Sequence, residues 1–123
     1  MRKTLLWLDD YRNPFDSFPD WLVFSPIGRD VDIVWVKSYD EFCDFINKQM
    51  PDAVCFDHDL KDIDDENYEN EKTGYDCAKE LVRVCMEKNL KLPAFNSQSS
   101  NPAGRDNIMC YLNNYKKHCE DNN

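Results

Sequence analysis

Hydrophobic residues along this chain cluster into four short runs that predict β-strands, with polar stretches between them. The runs lie at residues 4–8, 31–36, 53–56 and 92–95. The third run is apolar throughout, which is typical of a strand buried on both faces of a parallel sheet. Pro93 lies within the last run and favours an edge position for it. The first run leads into Asp9 and Asp10, and the third leads into Asp57, His58 and Asp59.

Three amphipathic segments predict helices at about residues 39–49, 74–89 and from 102 onward. Apolar side chains recur at three- and four-residue spacing in each segment, which places them on one helix face. Each segment follows a residue that can cap a helix, and these residues are Ser38, Thr73 and Asn101. We expect the last helix to fray from Cys119 onward.

Two longer segments between these elements show no sustained period. Residues 15–30 contain two prolines and a glycine, so we expect a loop with at most one short helical turn. Its aromatic side chains would cover a sheet edge or flank a binding site. Residues 61–72 carry almost no apolar side chain, which predicts either a solvated surface loop or a mobile lid.

The resulting order is strand, loop, strand, helix, strand, helix, strand, helix. With 123 residues, it predicts one α/β domain spanning 1–123 and built on a parallel sheet with right-handed crossovers. The expected strand order is 2-1-3-4, which places strands one and three side by side. In such sheets, ligands bind beyond the carboxyl ends of the strands, where the winding direction reverses.

Four aspartates follow strands one and three, so this topology brings Asp9, Asp10, Asp57 and Asp59 towards one place. Clustered carboxylates are costly unless a cation neutralises them or some of them hold protons. Their hard oxygen atoms suit Mg²⁺ or Mn²⁺. The alternative is that they are surface carboxylates that cap turns. His58, between two acids, is either a general acid–base or metal ligand, or a histidine that only supports a carboxylate.

Arginines and helix starts near these acids are candidates for binding phosphate. An arginine can make bidentate contacts with phosphate, and the free backbone N–H groups at a helix start favour anions. For the arginines, salt bridges in an acidic protein are the alternative. The candidate residues are Arg12, Thr73, Ser99, Asn101 and Arg105.

The overall charge narrows the choice of ligand. The chain carries 24 acidic against 15 basic residues, a net charge of −9, which disfavours generic binding to DNA or to any nucleic-acid backbone. A small phosphorylated ligand, such as a cyclic nucleotide, or an RNA end remains compatible because a few local cations suffice. No apolar run reaches membrane-spanning length, and acids follow the first run too early for a secretory signal. We therefore expect a cytoplasmic protein whose six cysteines are reduced.

Four sequence motifs together resemble one known family. They are WLDDxRxP at 7–14, FDHDL at 56–60, KTGYD at 72–76 and SxNPxGRxNI at 99–108. The motifs resemble the cyclic-phosphate processing receiver-like domain family, which is similar to the phospho-receiver domains of two-component signalling. The resemblance implies a three-layer, flavodoxin-like fold and a metal ion held by Asp9, Asp10 and Asp57. Asp57 would then match the phospho-acceptor of receivers.

Two departures from the pattern of that family affect the expected activity. Gln98 stands where the family usually has a histidine, so the protein would either bind its ligand without turnover or rely on His58. A fifth strand is also missing from the predicted elements, and with it the lysine that receivers carry there. Ordinary phospho-relay is therefore the least favoured activity.

We expect a metal-dependent phosphoesterase that acts on a cyclic or terminal phosphate of a nucleotide signal or an RNA end. Its catalytic residues would be Asp57, His58 and Asp59, with Mg²⁺ or Mn²⁺ as the cofactor. One alternative is a module that sequesters a cyclic nucleotide without cleaving it, since the aromatic residues of 15–24 can stack on a base. Another is a receiver domain that accepts phosphate on Asp57.

Overall fold

The computed structural model of the protein describes residues 2–60 and 72–121. Its elements are β1 (Lys3–Leu8), a short 3-10 helix (Trp21–Phe24), β2 (Val31–Val36), α1 (Tyr39–Lys48), β3 (Ala53–Phe56), α2 (Gly74–Lys88), β4 (Ala94–Ser97) and α3 (Pro102–Asp121). No helix within these ranges combines the length and the apolar character that a membrane span requires. The predicted lid, residues 61–72, lies outside the described residues except for Lys72.

The four strands form one parallel sheet in the order β2-β1-β3-β4, which confirms the predicted topology. Leu8 of β1 pairs with Val36 of β2 and with Phe56 of β3. Phe56 in turn pairs with Ser97 of β4. The strands therefore end at the same level, so the residues that follow them lie along one edge of the sheet.

Alternate side chains of the central strands supply two separate cores. Leu6, Leu8, Val54 and Phe56 belong to a cluster that includes buried residues of α1, α2 and α3. On the opposite face, Leu5, Trp7, Ala53 and Cys55 pack against apolar residues from the segment 21–27. The three layers are thus helices, sheet and a loop layer, which we define as residues 13–30.

Crossover handedness explains why a loop covers the second face. The chain moves in one direction across the sheet from β2 to β3 and β4, but in the opposite direction from β1 to β2. Right-handed connections in opposite directions lie on opposite faces of a sheet. Among the described elements, α1, α2 and α3 all pack on the other face. The connection between β1 and β2 therefore covers the second face, and its aromatic residues, Trp21 and Phe24 among them, lie on a face of the sheet rather than at an edge.

The last strand begins two residues later than the sequence predicts. Pro93 precedes it, and the first residue of the ladder is Ala94, whose N–H donates to the Asp52 carbonyl at 3.1 Å. The polar residues Asn96 and Ser97 belong to the strand because they pair with Cys55 and Phe56 in the ladder. Their side chains donate to the carbonyls of Phe24 and Phe56, at 2.9 and 2.8 Å. Periodicity alone does not reveal such long-range hydrogen bonds.

The helices match their predicted starts. Ser38 accepts a hydrogen bond from the Glu41 N–H, and Thr73 and Asp76 form a reciprocal capping box. The Asn101 side chain accepts from the Gly104 N–H at 3.0 Å at the start of α3. At its other end α3 continues past Cys119 to Asp121, and residues 122–123 lie outside the described residues. Tyr115 packs against the helix-side core in the last turns and helps to hold them.

Candidate metal centre

Three of the four predicted aspartates meet at the carboxyl ends of β1 and β3. Asp9 and Asp57 follow these neighbouring strands directly, and their N–H groups extend the ladder by donating to Val36 and Leu8. One carboxylate oxygen from each of Asp9, Asp10 and Asp57 lies within 4.8 Å of the other two. We call these three residues the acidic centre. The fourth aspartate, Asp59, turns to a separate group described below.

The Asp9 carboxylate is fully buried and accepts four hydrogen bonds from residues that the structure describes. Its Oδ1 accepts from the N–H groups of Tyr11 and Arg12, at 3.0 and 2.9 Å. Its Oδ2 accepts from Arg12 Nη1 and Gln98 Nε2, both at 3.2 Å. A carboxylate offers about four lone-pair positions, so donors of the chain use all of them. An ion that binds Asp9 must therefore displace one of these donors.

Arg12 is the counter-charge of the acidic centre and is only 4% exposed. Besides its contact with Asp9, Nη1 lies 3.4 Å from Asp57 Oδ1, and Nη2 donates to Ser100 Oγ at 3.1 Å. The guanidinium also faces the rings of Tyr11 and Trp21, at 4.6 and 5.2 Å from their centres. Both contacts with carboxylates are long for charge-assisted hydrogen bonds, so the arginine is held loosely by the acids.

Burial and the neighbouring negative charges raise the pKa of Asp57. Burial is the largest cause, followed by the negative charge of Asp9 and a hydrogen bond with Asp10. Arg12 opposes these effects, and the resulting pKa is about 7. Three carboxylates against one guanidinium therefore leave a negative site that favours either a proton or a metal ion.

A second group, which we call the His58 cluster, consists of His58, Asp59 and Asn101. His58 Nδ1 lies 2.9 Å from Asp59 Oδ1, and Asn101 Nδ2 donates to Asp59 Oδ2 at 3.2 Å. The Asp59 side chain is 63% exposed. The predicted catalytic residues thus split. Asp57 belongs to the buried acidic centre, whereas Asp59 faces the solvent and the His58 side chain between them is 17% exposed.

Two glycines allow the helices to approach this segment closely. A Cβ on Gly74 would lie 1.7 Å from the Asp57 carbonyl oxygen, and one on Gly104 would lie 2.3 Å from His58 Cγ. The start of α2 therefore packs on the backbone of Asp57, and the start of α3 packs on the His58 ring. The sequence shows both glycines inside the motifs at 72–76 and 99–108, but it does not reveal what they contact.

The other predicted phosphate ligands, Thr73, Ser99 and Arg105, each have a different environment. Thr73 is engaged in its capping box with Asp76. Ser99 Oγ accepts from the Asn101 N–H at 3.1 Å, in the turn that leads into α3. Arg105 is exposed on the first turn of α3. Ser100, which contacts Arg12, is the residue of this turn that the structure joins to the acidic centre.

Fold and site together define a receiver-like α/β domain with an acidic centre beyond its parallel strands. The family model for the cyclic-phosphate processing receiver domain matches residues 4–114. The chain therefore belongs to that family, as its motifs predict.

Solved structures and curated proteins add the following comparisons. A CheY-like response regulator receiver domain from Methylobacillus flagellatus is 19% identical, with a TM-score of 0.57 over 91% of this chain and 81% of that chain. A signal receiver domain from Vibrio parahaemolyticus is 13% identical, with a TM-score of 0.45 over 98% and 94% of the two chains. The first likeness shows the flavodoxin-like fold. No curated protein in the comparison matches the chain.

Proposed function

We propose that this protein is a metal-dependent phosphoesterase that acts on a cyclic or terminal phosphate of a nucleotide signal or an RNA end. The observation that carries the proposal is the acidic centre, three carboxylates within 4.8 Å beside a buried arginine. Membership of a cyclic-phosphate processing family supports the choice of substrate.

The chemistry of the donors fits a divalent ion. Carboxylate oxygens are the hard ligands that Mg²⁺ and Mn²⁺ prefer, and the three acids outnumber the single guanidinium beside them. Asp9, Asp10 and Asp57 would hold the ion. When bound, such an ion polarises a phosphoryl oxygen and lowers the pKa of a water molecule.

Residues around the acidic centre are arranged to bind and orient a phosphate. Arg12 lies between Asp57 and Ser100, and its planar guanidinium can contact two phosphate oxygens once it leaves the carboxylates. Ser99 and Asn101 stand at the start of α3, where backbone N–H groups favour an anion, and Arg105 adds a cation on the same turn. Negative charge and phosphate donors therefore lie side by side.

Either Asp57 or His58 would act on the reacting group. Asp57, with a pKa of about 7, can exchange a proton near neutral pH. His58 is fixed by Asp59 through Nδ1, an arrangement that orients the imidazole and leaves Nε2 as the second nitrogen for proton transfer. Asp59 would position His58 in this mechanism.

The test is incubation with Mn²⁺ and a panel of cyclic nucleotides and oligonucleotides with 2′,3′-cyclic-phosphate ends, followed by phosphorus NMR. We expect opening of the ring in at least one substrate, and its loss in Asp57→Asn. Arg29→Gln is a matched control, because Arg29 forms a surface ion pair with Asp20 on the loop layer. No turnover of any substrate by a protein that binds Mn²⁺ would exclude the esterase.

A sequestering module is the second candidate, and the surface beside Arg12 favours it. The Tyr11 ring lies over the guanidinium and is 66% exposed, and Phe18 on the loop layer is 93% exposed. Stacking on such rings contributes about 1–3 kcal/mol per base. Calorimetry with cyclic nucleotides, followed by recovery of the ligand, separates the two functions. Saturable binding of a ligand that is recovered unaltered supports the module, and Tyr11→Leu should weaken it.

Phospho-acceptance on Asp57 is the third candidate, and it derives from the receiver-like fold and the position of Asp57 at the end of β3. Acetyl phosphate should then add one phosphoryl group to the intact protein, visible by mass spectrometry and absent in Asp57→Asn. An unchanged mass in the presence of Mg²⁺ would exclude this function.

A further inference from the structure

Gln98 follows β4 and reaches across the end of the sheet to the acidic centre. Its Nε2 donates to the Leu8 carbonyl at 2.9 Å and to Asp9 Oδ2 at 3.2 Å. Both acceptors belong to the end of β1, two strands away in the sheet. The side chain is 3% exposed, so no solvent competes for these hydrogen bonds.

The other three donors to Asp9 come from its own turn. They are the N–H groups of Tyr11 and Arg12 and the side chain of Arg12. Gln98 is therefore the donor that ties this carboxylate to a different part of the sheet. Without it, the orientation of Asp9 Oδ2 would depend on a loosely held guanidinium that carries a charge of its own.

The second polar atom of the Gln98 amide is unsatisfied. Oε1 is buried and has no hydrogen-bond partner within residues 2–60 and 72–121. The two polar atoms of an amide are roughly 2.3 Å apart, and Nε2 lies 3.2 Å from Asp9 Oδ2, so Oε1 lies within about 5.5 Å of that oxygen. A buried acceptor of this kind favours a donor from a ligand or a water molecule.

We infer that Gln98 is a positioning residue of the acidic centre, which holds Asp9 Oδ2 in the orientation that a divalent ion requires. The inference rests on the proposed metal centre. A ligand carboxylate needs an outer hydrogen bond to keep its orientation, and loss of such a bond typically weakens metal binding by about 10–100-fold. An amide suits this role because it donates without adding charge next to three acids.

The experiment measures the affinity for Mn²⁺ by electron paramagnetic resonance in the wild type, Gln98→Met and Asn96→Leu. Gln98→Met keeps the volume and removes the donor. Asn96→Leu is the matched control, since Asn96 is an amide of the same strand that donates to the Phe24 carbonyl on the loop layer. We expect Gln98→Met to bind Mn²⁺ at least about tenfold more weakly, and Asn96→Leu to stay within about twofold of the wild type.

Rescue by a different donor separates positioning from packing. A neutral imidazole keeps one N–H donor, so Gln98→His should bind Mn²⁺ more tightly than Gln98→Met. If Gln98→Met does not fold, as judged by circular dichroism, Gln98→Leu, which also lacks the donor, takes its place in every comparison. Equal affinity of the donor-less variant and the wild type, equal affinity of the donor-less variant and Gln98→His, or equal losses in the donor-less variant and Asn96→Leu, would overturn the inference. A wild-type protein that binds no Mn²⁺ would instead overturn the metal centre itself.

Discussion

The acidic centre and the His58 cluster contain two adjacent residues, Asp57 and His58, yet they differ in burial and charge. In the acidic centre, Asp9 and Asp57 are buried and negative charge exceeds positive charge even after Arg12 is counted. In the His58 cluster, an exposed carboxylate, a histidine and an amide satisfy one another. Burial makes the difference, because uncompensated charge is costly only away from water. A cation should therefore bind the first group and not the second.

Asp57→Asn and Asp59→Asn test this comparison most strongly. Asp57→Asn removes a charged ligand from the acidic centre, so we expect a loss of Mn²⁺ affinity of at least about 100-fold. Asp59→Asn makes the same change two positions later, at an exposed side chain. Its Mn²⁺ affinity should stay within about threefold of the wild type, because exposed charges are screened. Calorimetry gives both values. Similar losses in the two variants would mean that the ion is shared by both groups.

The second prediction concerns pH. The raised pKa of Asp57, about 7 against an ordinary value of 3.8, means that a proton competes with the ion below neutrality. We expect Mn²⁺ affinity to rise by up to about tenfold per pH unit between pH 5 and 7 and to level off above pH 7.

Without the ion, the native state binds more protons than the unfolded chain between the two pKa values. The free energy of unfolding should therefore fall as pH rises across that window, measured by urea titration. Asp57→Asn should show neither trend.

Arg12→Met should change metal and phosphate binding in opposite directions. Removing the cation frees a lone pair on Asp9 and deepens the negative potential, so Mn²⁺ should bind about tenfold more tightly. Binding of inorganic phosphate to the Mn²⁺ complex should weaken, since its bidentate donor is gone. The variant should also be less stable without Mn²⁺ and regain stability with it. Arg29→Met, at the surface ion pair, should change none of these quantities. Weaker Mn²⁺ binding in Arg12→Met would show that the arginine supports the centre rather than competes with the ion.

The smallest effect is expected in the His58 cluster. Asn101→Ala removes the cap of α3 and the donor to Asp59, so the free energy of unfolding should fall by about 0.5–2 kcal/mol. Asn101→Ser keeps a cap but its side chain does not reach Asp59, so the free energy of unfolding should fall by less than in Asn101→Ala. Neither variant should alter Mn²⁺ affinity by more than about twofold. A large change in Mn²⁺ affinity would show that the acidic centre and the His58 cluster form one site.

The positions of the acids follow from the sequence because strand ends are local features. A short buried run that ends in Asp57 next to a run that ends in Asp9 defines their meeting once the strand order is set by right-handed crossovers. The register of β4 does not follow, since the polar Asn96 pairs with Cys55 in the ladder and its side chain donates to the Phe24 carbonyl, and residue type alone predicts neither contact. The partners of Arg12 and Gln98 are likewise set by tertiary geometry. A sequence shows that Arg12 is near acids, but not that it faces Asp9, Asp57 and two aromatic rings.

The loop layer joins the stability of one sheet face to the charge of the acidic centre. Arg12 directly precedes this layer. Its carbonyl accepts a hydrogen bond from the Trp7 indole N–H, and its guanidinium faces the Trp21 ring. Trp7 and Trp21 belong to the same apolar cluster. If this layer opens locally, the Trp21 ring moves away from the Arg12 guanidinium. Opening of the layer and loss of this contact therefore form one cooperative unit. Amide exchange in residues 21–27 should accordingly respond to ions and phosphate bound beyond the strand ends, which makes these amides a reporter of occupancy at that edge of the sheet.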